Sequence, residues 1–372
     1  MRNIKILIVA GARPNFMKIK PLMKEIEEHN AKRLPDQPTV QTLLVHTGQH
    51  YDETMSEVFF RELGIRPPDI NLGVGSGSHA VQTAKIMMGF EPVCEREKPD
   101  WIVVVGDVNS TMACALVGAK MSIRVAHIEA GLRSFDRTMP EEINRLVTDA
   151  LAALLLTPSE DADENLLREG ISRDKIQRVG NIMIDSLLEN LPKARSGNLL
   201  AQLQLQPGRF VYVTLHRPGN VDERVSLSKI MSVLEQLACR MTVVFPIHPR
   251  TRKMLSEFGL TPHSDSRLLL LEPIGYHGSL CLTENARLVL TDSGGLQEEA
   301  TFFRTPCLTL RPNTERPITI TLGSNRLTKL ESLMDDVNDS LKGPERKGQV
   351  PPLWDGHTAE RTLRQLLAGS TN

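Results

Sequence analysis

The stretch WIVVVGDVNST (residues 101–111), read with VAHIEAGLRS (125–134) and MPEEINR (139–145), decides the fold. Two apolar runs containing β-branched residues, WIVVV and VAHI, each lead to an acid, Asp107 after a glycine and Glu129 before Ala-Gly. Glu141 follows Pro140, where a helix is expected to begin. Such runs, ending in turn residues and followed by helical spacing, are the pattern of βαβ units and a parallel sheet. In an open parallel sheet, the carboxyl ends of the strands line the crevice where ligands bind. Three carboxylates expected there, with no Cys/His metal set beside them, point to proton chemistry on an organic substrate.

The same alternation runs outward in both directions. KILIVA, QTLLVHT and ALLLTP are further strand candidates in the first half, with amphipathic FMKIKPLMKEIEEH and ETMSEVFFRELG between strands. RFVYVTLH, MTVVFPIH, RLLLLEP, RLVLTD and TPCLTL supply a second series. Between them, residues 185–208 read as a linker with a surface helix. The expected organisation is two doubly wound α/β domains, 1–185 and 186–355, with a final helix in 356–372 and the ligand cleft between the domains.

Composition narrows the class. The 372 residues carry 44 Lys+Arg against 45 Asp+Glu, a net charge of −1, which argues against nucleic acid or an anionic membrane as the main partner. The apolar run after the start is about six residues, shorter than a signal sequence's hydrophobic region, and reads as a first strand. No stretch approaches the roughly 20 apolar residues of a membrane span. Five cysteines without a C-x-x-C pair read as reduced, mostly buried thiols of a cytoplasmic protein.

Four further constellations carry chemistry. In GARPNFMKIKP, Gly11 closes a strand, Arg13 lies in the turn and a helix follows, an arrangement that binds phosphate through backbone amides and a guanidinium. It is not G-x-G-x-x-G, so no dinucleotide is indicated, and a tight turn with a solvated arginine is the plainer reading. HRPGN places His216 and Arg217 after a strand, and His248 holds the equivalent place after the next. TDSGGLQEEA ends a strand at Asp292, turns at Ser293-Gly294-Gly295 and opens a helix, so that backbone amides face a diphosphate and Glu298 or Glu299, expected in the first turn, reaches a ribose. Asp107 alone also suits a helix N-cap, and Glu141 with Arg145 a plain i,i+4 pair.

In order and over nearly the whole chain, GARPNFMK, HTGQHYD, VGDVNST, HIEAGLRS, PEEINR, the HR of HRPGN, TDSGGLQEEA, TERP and DGHTAERTL resemble the non-hydrolysing UDP-N-acetylglucosamine 2-epimerases. The resemblance implies a GT-B architecture of two Rossmann-like domains, with the last helix packing back on the first. It implies interconversion of UDP-N-acetylglucosamine and UDP-N-acetylmannosamine, by elimination of UDP to a 2-acetamidoglucal and re-addition, with no cofactor and no metal. Asp107, Glu129, Glu141 and His216 match catalytic residues; Arg13, Lys18, Ser293, Gly294, Gly295, Glu299 and Arg316 match substrate contacts. A homodimer and a place in polysaccharide biosynthesis are what the resemblance implies.

The chain departs from the family pattern at several points. Gly219 stands where H-R-x-E-N has Glu, and Ser279 where many members have Phe near the uracil, leaving Tyr276 for base packing. Gln49-His-Tyr-Asp52 replaces the regulatory Gln-x-x-Gln, which argues against activation by substrate. GARPNF in place of T-R-P-E-A keeps open epimerisation of a UDP-2,3-diacetamido-uronic acid. An acceptor-dependent GT-B glycosyltransferase, a hydrolysing relative that releases N-acetylmannosamine, and an inactive nucleotide-sugar sensor are the remaining readings. The first has no need of three acids, and the last would be expected to lose one.

Overall fold

The computed structural model describes residues 3–49, 64, 66–260, 267–344, 346 and 348–370. The expected helix ETMSEVFFRELG lies largely outside them. The chain divides into two compact units, Met1–Ser186 with Pro352–Asn372, and Leu187–Pro351.

In the first unit seven strands run parallel in the order β3-β2-β1-β4-β5-β6-β7. They are β1 (Asn3–Ala10), β2 (Thr39–His46), β3 (Ile70–Asn71), β4 (Trp101–Val105), β5 (Arg124–Ile128), β6 (Leu154–Thr157) and β7 (Ile176–Arg178). Helices cover both faces of a parallel sheet, so central strands are apolar throughout, and all five residues of β4 are buried. The second unit repeats the plan with six parallel strands, β8 (Phe210–Thr214), β9 (Thr242–Pro246), β10 (Leu268–Leu271), β11 (Leu288–Thr291), β12 (Cys307–Leu310) and β13 (Asn325–Thr328), in the order β10-β9-β8-β11-β12-β13. These are the expected α/β doubly wound sheets of a GT-B protein, extended at their edges by β3, β7 and β13.

In each sheet the order reverses beside the first strand, between β1 and β4 and between β8 and β11. Loops leave such a switch point on opposite faces and open a crevice at the strand carboxyl ends. Gly11 and Asp107 follow β1 and β4; His216 and Ser293 follow β8 and β11.

The expected linker, residues 185–208, holds most of the helix Ile182–Ser196 and the short helix Leu199–Gln202. The chain divides after Ser186, within the helix Ile182–Ser196, and Ile182, Ile184, Leu187, Leu191 and Ala194 of that helix are buried. The final helix, Thr358–Gly369, packs on the helix Arg13–Lys32. Its first amides, Thr358 N and Ala359 N, donate to the Asp185 carboxylate at 3.2 and 2.8 Å, and Trp101 Nε1 donates to Ser370 Oγ at 2.9 Å. Among the described residues no helix is long and apolar enough to cross a membrane. Four of the five free cysteines are buried and Cys239 is exposed.

Candidate active site

The first unit concentrates its acids behind β4 and β5. Gly106 takes φ 69°, a left-handed conformation that turns the chain out of β4. A Cβ there would stand 3.3 Å from Lys18 Nζ, 3.5 Å from Asn15 Nδ2 and 3.8 Å from Glu129 Oε2, so a side chain would fill the floor on which these groups meet. Glu129 itself adopts φ 70°, unusual for a residue with a side chain, and is 5 % exposed. Its Oε2 lies 2.5 Å from Lys18 Nζ, while Oε1, equally buried, has no hydrogen-bond partner. A carboxylate oxygen so placed is costly unless a ligand or water completes it.

Asp107 is not a helix cap: the cap position is Val108, and Asp107 Oδ2 pairs with Arg145 Nη1. Nor does Arg145 pair with Glu141. Its Nε and Nη2 go to Glu142 Oε2, at 3.0 and 2.6 Å, on the next side chain round the helix Pro140–Leu151. Glu142 also accepts from Ser134 N and Phe135 N, both at 2.9 Å. Burial opposes its ionisation, but the Ser134 amide and Arg145 overcome this and hold the carboxyl below its ordinary value. Glu141 is exposed and shares with Asp107 the lining of a pocket of about 280 Å³, together with Gln49, His79, Asn109 and Asn144.

Arg13 is the first residue of its helix rather than part of the turn, and its side chain lies outside the described residues. The turn is instead closed by Asn15, whose Oδ1 accepts from Gly11 N and Ala12 N at 3.1 and 2.9 Å. Gln49 Oε1 is taken by Ser110 N and Oγ, at 3.1 and 2.7 Å, and Asp52 lies outside the described residues.

In the second unit His216 is anchored by Asp292, which is fully buried. The Asp292 carboxylate accepts from His216 N, Arg217 N and Asn220 Nδ2, and lies 3.1 Å from His216 Nδ1. The loop is therefore held from β11, and Gly219 does not leave it unsupported. His248 caps the helix Pro249–Phe258, accepting from Arg250 N through Nδ1, and its ring lies 5.6 Å from that of His216. Burial first, then the neighbouring His216, lowers its proton affinity.

The turn after β11 opens the helix Gly294–Phe303, and its cap Ser293 makes no side-chain bond to the first amides. A Cβ on Gly294 would press to 2.8 Å from Glu315 Oε1, whereas one on Gly295 would meet nothing within 4 Å. The helix start thus presents unfilled donors to open space, the arrangement that holds a phosphate. Glu298 and Glu299 do not lie in the first turn. They follow it and are buried, Glu298 against Arg316 Nε at 2.8 Å. Burial, and then the Glu298 charge, push Glu299 up to about 8, while the Tyr276 hydroxyl beside it works the other way. Arg316 is also paired with Glu315, which Arg316 and Arg311 hold far below the usual carboxylate range against the cost of burial. Ser279 is bonded to the Tyr212 hydroxyl at 3.0 Å. Sequence reasoning missed Arg145's true partners, the Asp292 anchor and the buried His127; Asn220 in HRPGN was the visible signal for the second.

Comparison with known proteins decides the family. The family model described as UDP-N-acetylglucosamine 2-epimerase matches residues 32–367. The chain belongs to the UDP-N-acetylglucosamine 2-epimerase family. It is 42 % identical to the UDP-N-acetylglucosamine 2-epimerase of Methanocaldococcus jannaschii, over 98 % of this chain and 100 % of that protein. The crystal structure of the M. jannaschii enzyme in complex with UDP-GlcNAc and UDP superimposes with a TM-score of 0.86, covering 98 % of this chain and 100 % of that one. The UDP-2,3-diacetamido-2,3-dideoxy-D-glucuronate 2-epimerase of Pseudomonas aeruginosa is 40 % identical over 98 % of this chain and 99 % of its own.

Proposed function

We propose that this family member interconverts UDP-N-acetylglucosamine and UDP-N-acetylmannosamine. The observation that carries the reading is the acid cluster at the ends of β4 and β5, where Glu129 keeps one buried oxygen on Lys18 and the other unfilled. The N-acetyl group acidifies the sugar's second carbon only weakly, so proton removal needs a placed base. One of Asp107, Glu129 and Glu141 takes that proton and returns it, while the remaining carboxylates stabilise the positive charge that departure of UDP leaves on the anomeric carbon. The second unit's part is to hold UDP. Gly294 and Gly295 bind the diphosphate with backbone amides and Ser293, whose own amide donates to Thr291 Oγ1, with its hydroxyl; His216 neutralises it, Glu299 takes the ribose diol, and Arg316 fixes the pair of acids around that pocket. Arg13 adds a phosphate contact. Re-addition of UDP after reprotonation from the other face gives the epimer.

The P. aeruginosa relative keeps the diacetamido-uronate as the competing substrate. The turn residues do not favour it: Asn15 and Phe16 are buried, one in backbone bonds and the other edge-on to His46 at 5.1 Å between centroids. Asp107→Asn and Glu129→Gln are expected to lower epimerisation by about two to four orders of magnitude, as loss of acid–base function does. UDP affinity in calorimetry should be unchanged. Normal turnover in either variant removes that residue from the chemistry.

A further inference from the structure

We propose that His127, held as an imidazolium between Asp149 and the Gly106 carbonyl, is the positioning residue that locks the three carboxylate-bearing segments together. The inference rests on the epimerase reading for what those carboxylates do, but not for the state of the ring. His127 lies in β5 and is completely buried, as is Asp149 in the helix Pro140–Leu151 apart from 1 % exposure. His127 Nδ1 is 2.6 Å from Asp149 Oδ1, and Nε2 is 2.8 Å from Gly106 O. A backbone carbonyl only accepts, and so does an ionised carboxylate, so both ring nitrogens must donate and the ring carries two protons.

The surrounding charges balance that assignment. Asp149 Oδ2 lies 2.7 Å from Arg133 Nη1 and also accepts from Gly131 N at 3.1 Å. Arg133 donates in turn to both oxygens of Glu169, at 2.7 and 2.6 Å. Burial opposes the Asp149 charge, but His127 and Arg133 overcome it and hold the carboxyl below its ordinary value. Cations and anions then alternate along the network from His127 through Asp149 and Arg133 to Glu169, whose carboxylate reaches the surface. The neighbouring salt bridge just past β5, Lys18 with Glu129, is already matched.

The bonds to Gly106, Gly131 and Asp149 end on the segments that carry the proposed chemistry. Gly106 immediately precedes Asp107. Gly131 follows Glu129 by two residues in the turn after β5. Asp149 shares its helix with Glu141 and Arg145. A single imidazolium–carboxylate pair therefore ties the ends of β4 and β5 to that helix, and a positively charged ring behind the Gly106 carbonyl polarises the peptide leading to Asp107.

The test begins with wild-type enzyme labelled with nitrogen-15 at histidine, without ligand, at a pH about one unit above the ordinary imidazole value of roughly 6.5. The expected spectrum has one ring, assigned by its contacts with Gly106, with protons on both nitrogens; a ring with one bare nitrogen overturns the proposal. In Asp149→Asn, kcat for UDP-N-acetylglucosamine should fall about tenfold or more, with KM within about twofold of wild type and UDP affinity unchanged. A pair with only a structural role would lower the melting temperature and leave kcat of the folded fraction intact, which also overturns it. If the variant does not fold, the wild-type spectrum decides alone. Absence of turnover in the wild type would strike the epimerase reading and leave the ring assignment standing.

Discussion

Glu299 shows how one buried acid sets a measurable property. Burial and the Glu298 charge raise it from 4.5 to about 8, so between those values the native state keeps a proton that the unfolded chain has released. The native state then binds more protons, and stability falls as pH rises through the window, the penalty being complete above about 8. Glu299→Gln removes the ionisation while keeping the shape. Its melting midpoint should gain on wild type steadily from acid to mildly alkaline pH, in the absence of ligand; parallel curves would mean that Glu299 ionises as freely folded as unfolded. Residues of this kind were only partly legible. Asp107 and Glu129 stood out as charges at the ends of apolar runs, but their counter-cations did not, since Lys18 and Glu129 are 111 residues apart and Arg145 passes over its i,i+4 neighbour for Asp107. His127 sits inside an apolar run and reads there as core.

Among the elements, every central strand of both sheets was legible in the sequence. Their two buried faces demand continuous apolar runs, and β-branched residues fit them. Of the four edge strands only β10 was legible, as the apolar run RLLLLEP; Ile70–Asn71 is two residues long, and Ile176–Arg178 and Asn325–Thr328 mix polar with apolar side chains. The helix Ile182–Ser196 was read as linker because Pro192 and the polar run after it mask its helical spacing in the sequence. The final helix depends on a distant cap. Asp185→Ala should remove both bonds to Thr358 N and Ala359 N and destabilise the protein by about 1–2 kcal/mol in denaturant unfolding. UDP binding should not change. No loss of stability would show that the first turn of this helix is satisfied without Asp185.

At the scale of the molecule, the chain uses one topology twice and loads each switch point differently. The first unit sets acids and their counter-cations at the ends of β4 and β5, over an ionised interior pair; the second sets an open helix start and an aspartate-held histidine at the ends of β8 and β11. In the proposed reaction, proton removal and leaving-group capture are separate demands, and the two sheets offer separate parts for them. The measurement that tests this account most directly is proton NMR of the purified protein with UDP-N-acetylglucosamine alone in deuterated water. The account predicts the appearance of UDP-N-acetylmannosamine carrying deuterium at the sugar's second carbon. Release of free N-acetylmannosamine with UDP, or no reaction at all, would contradict it.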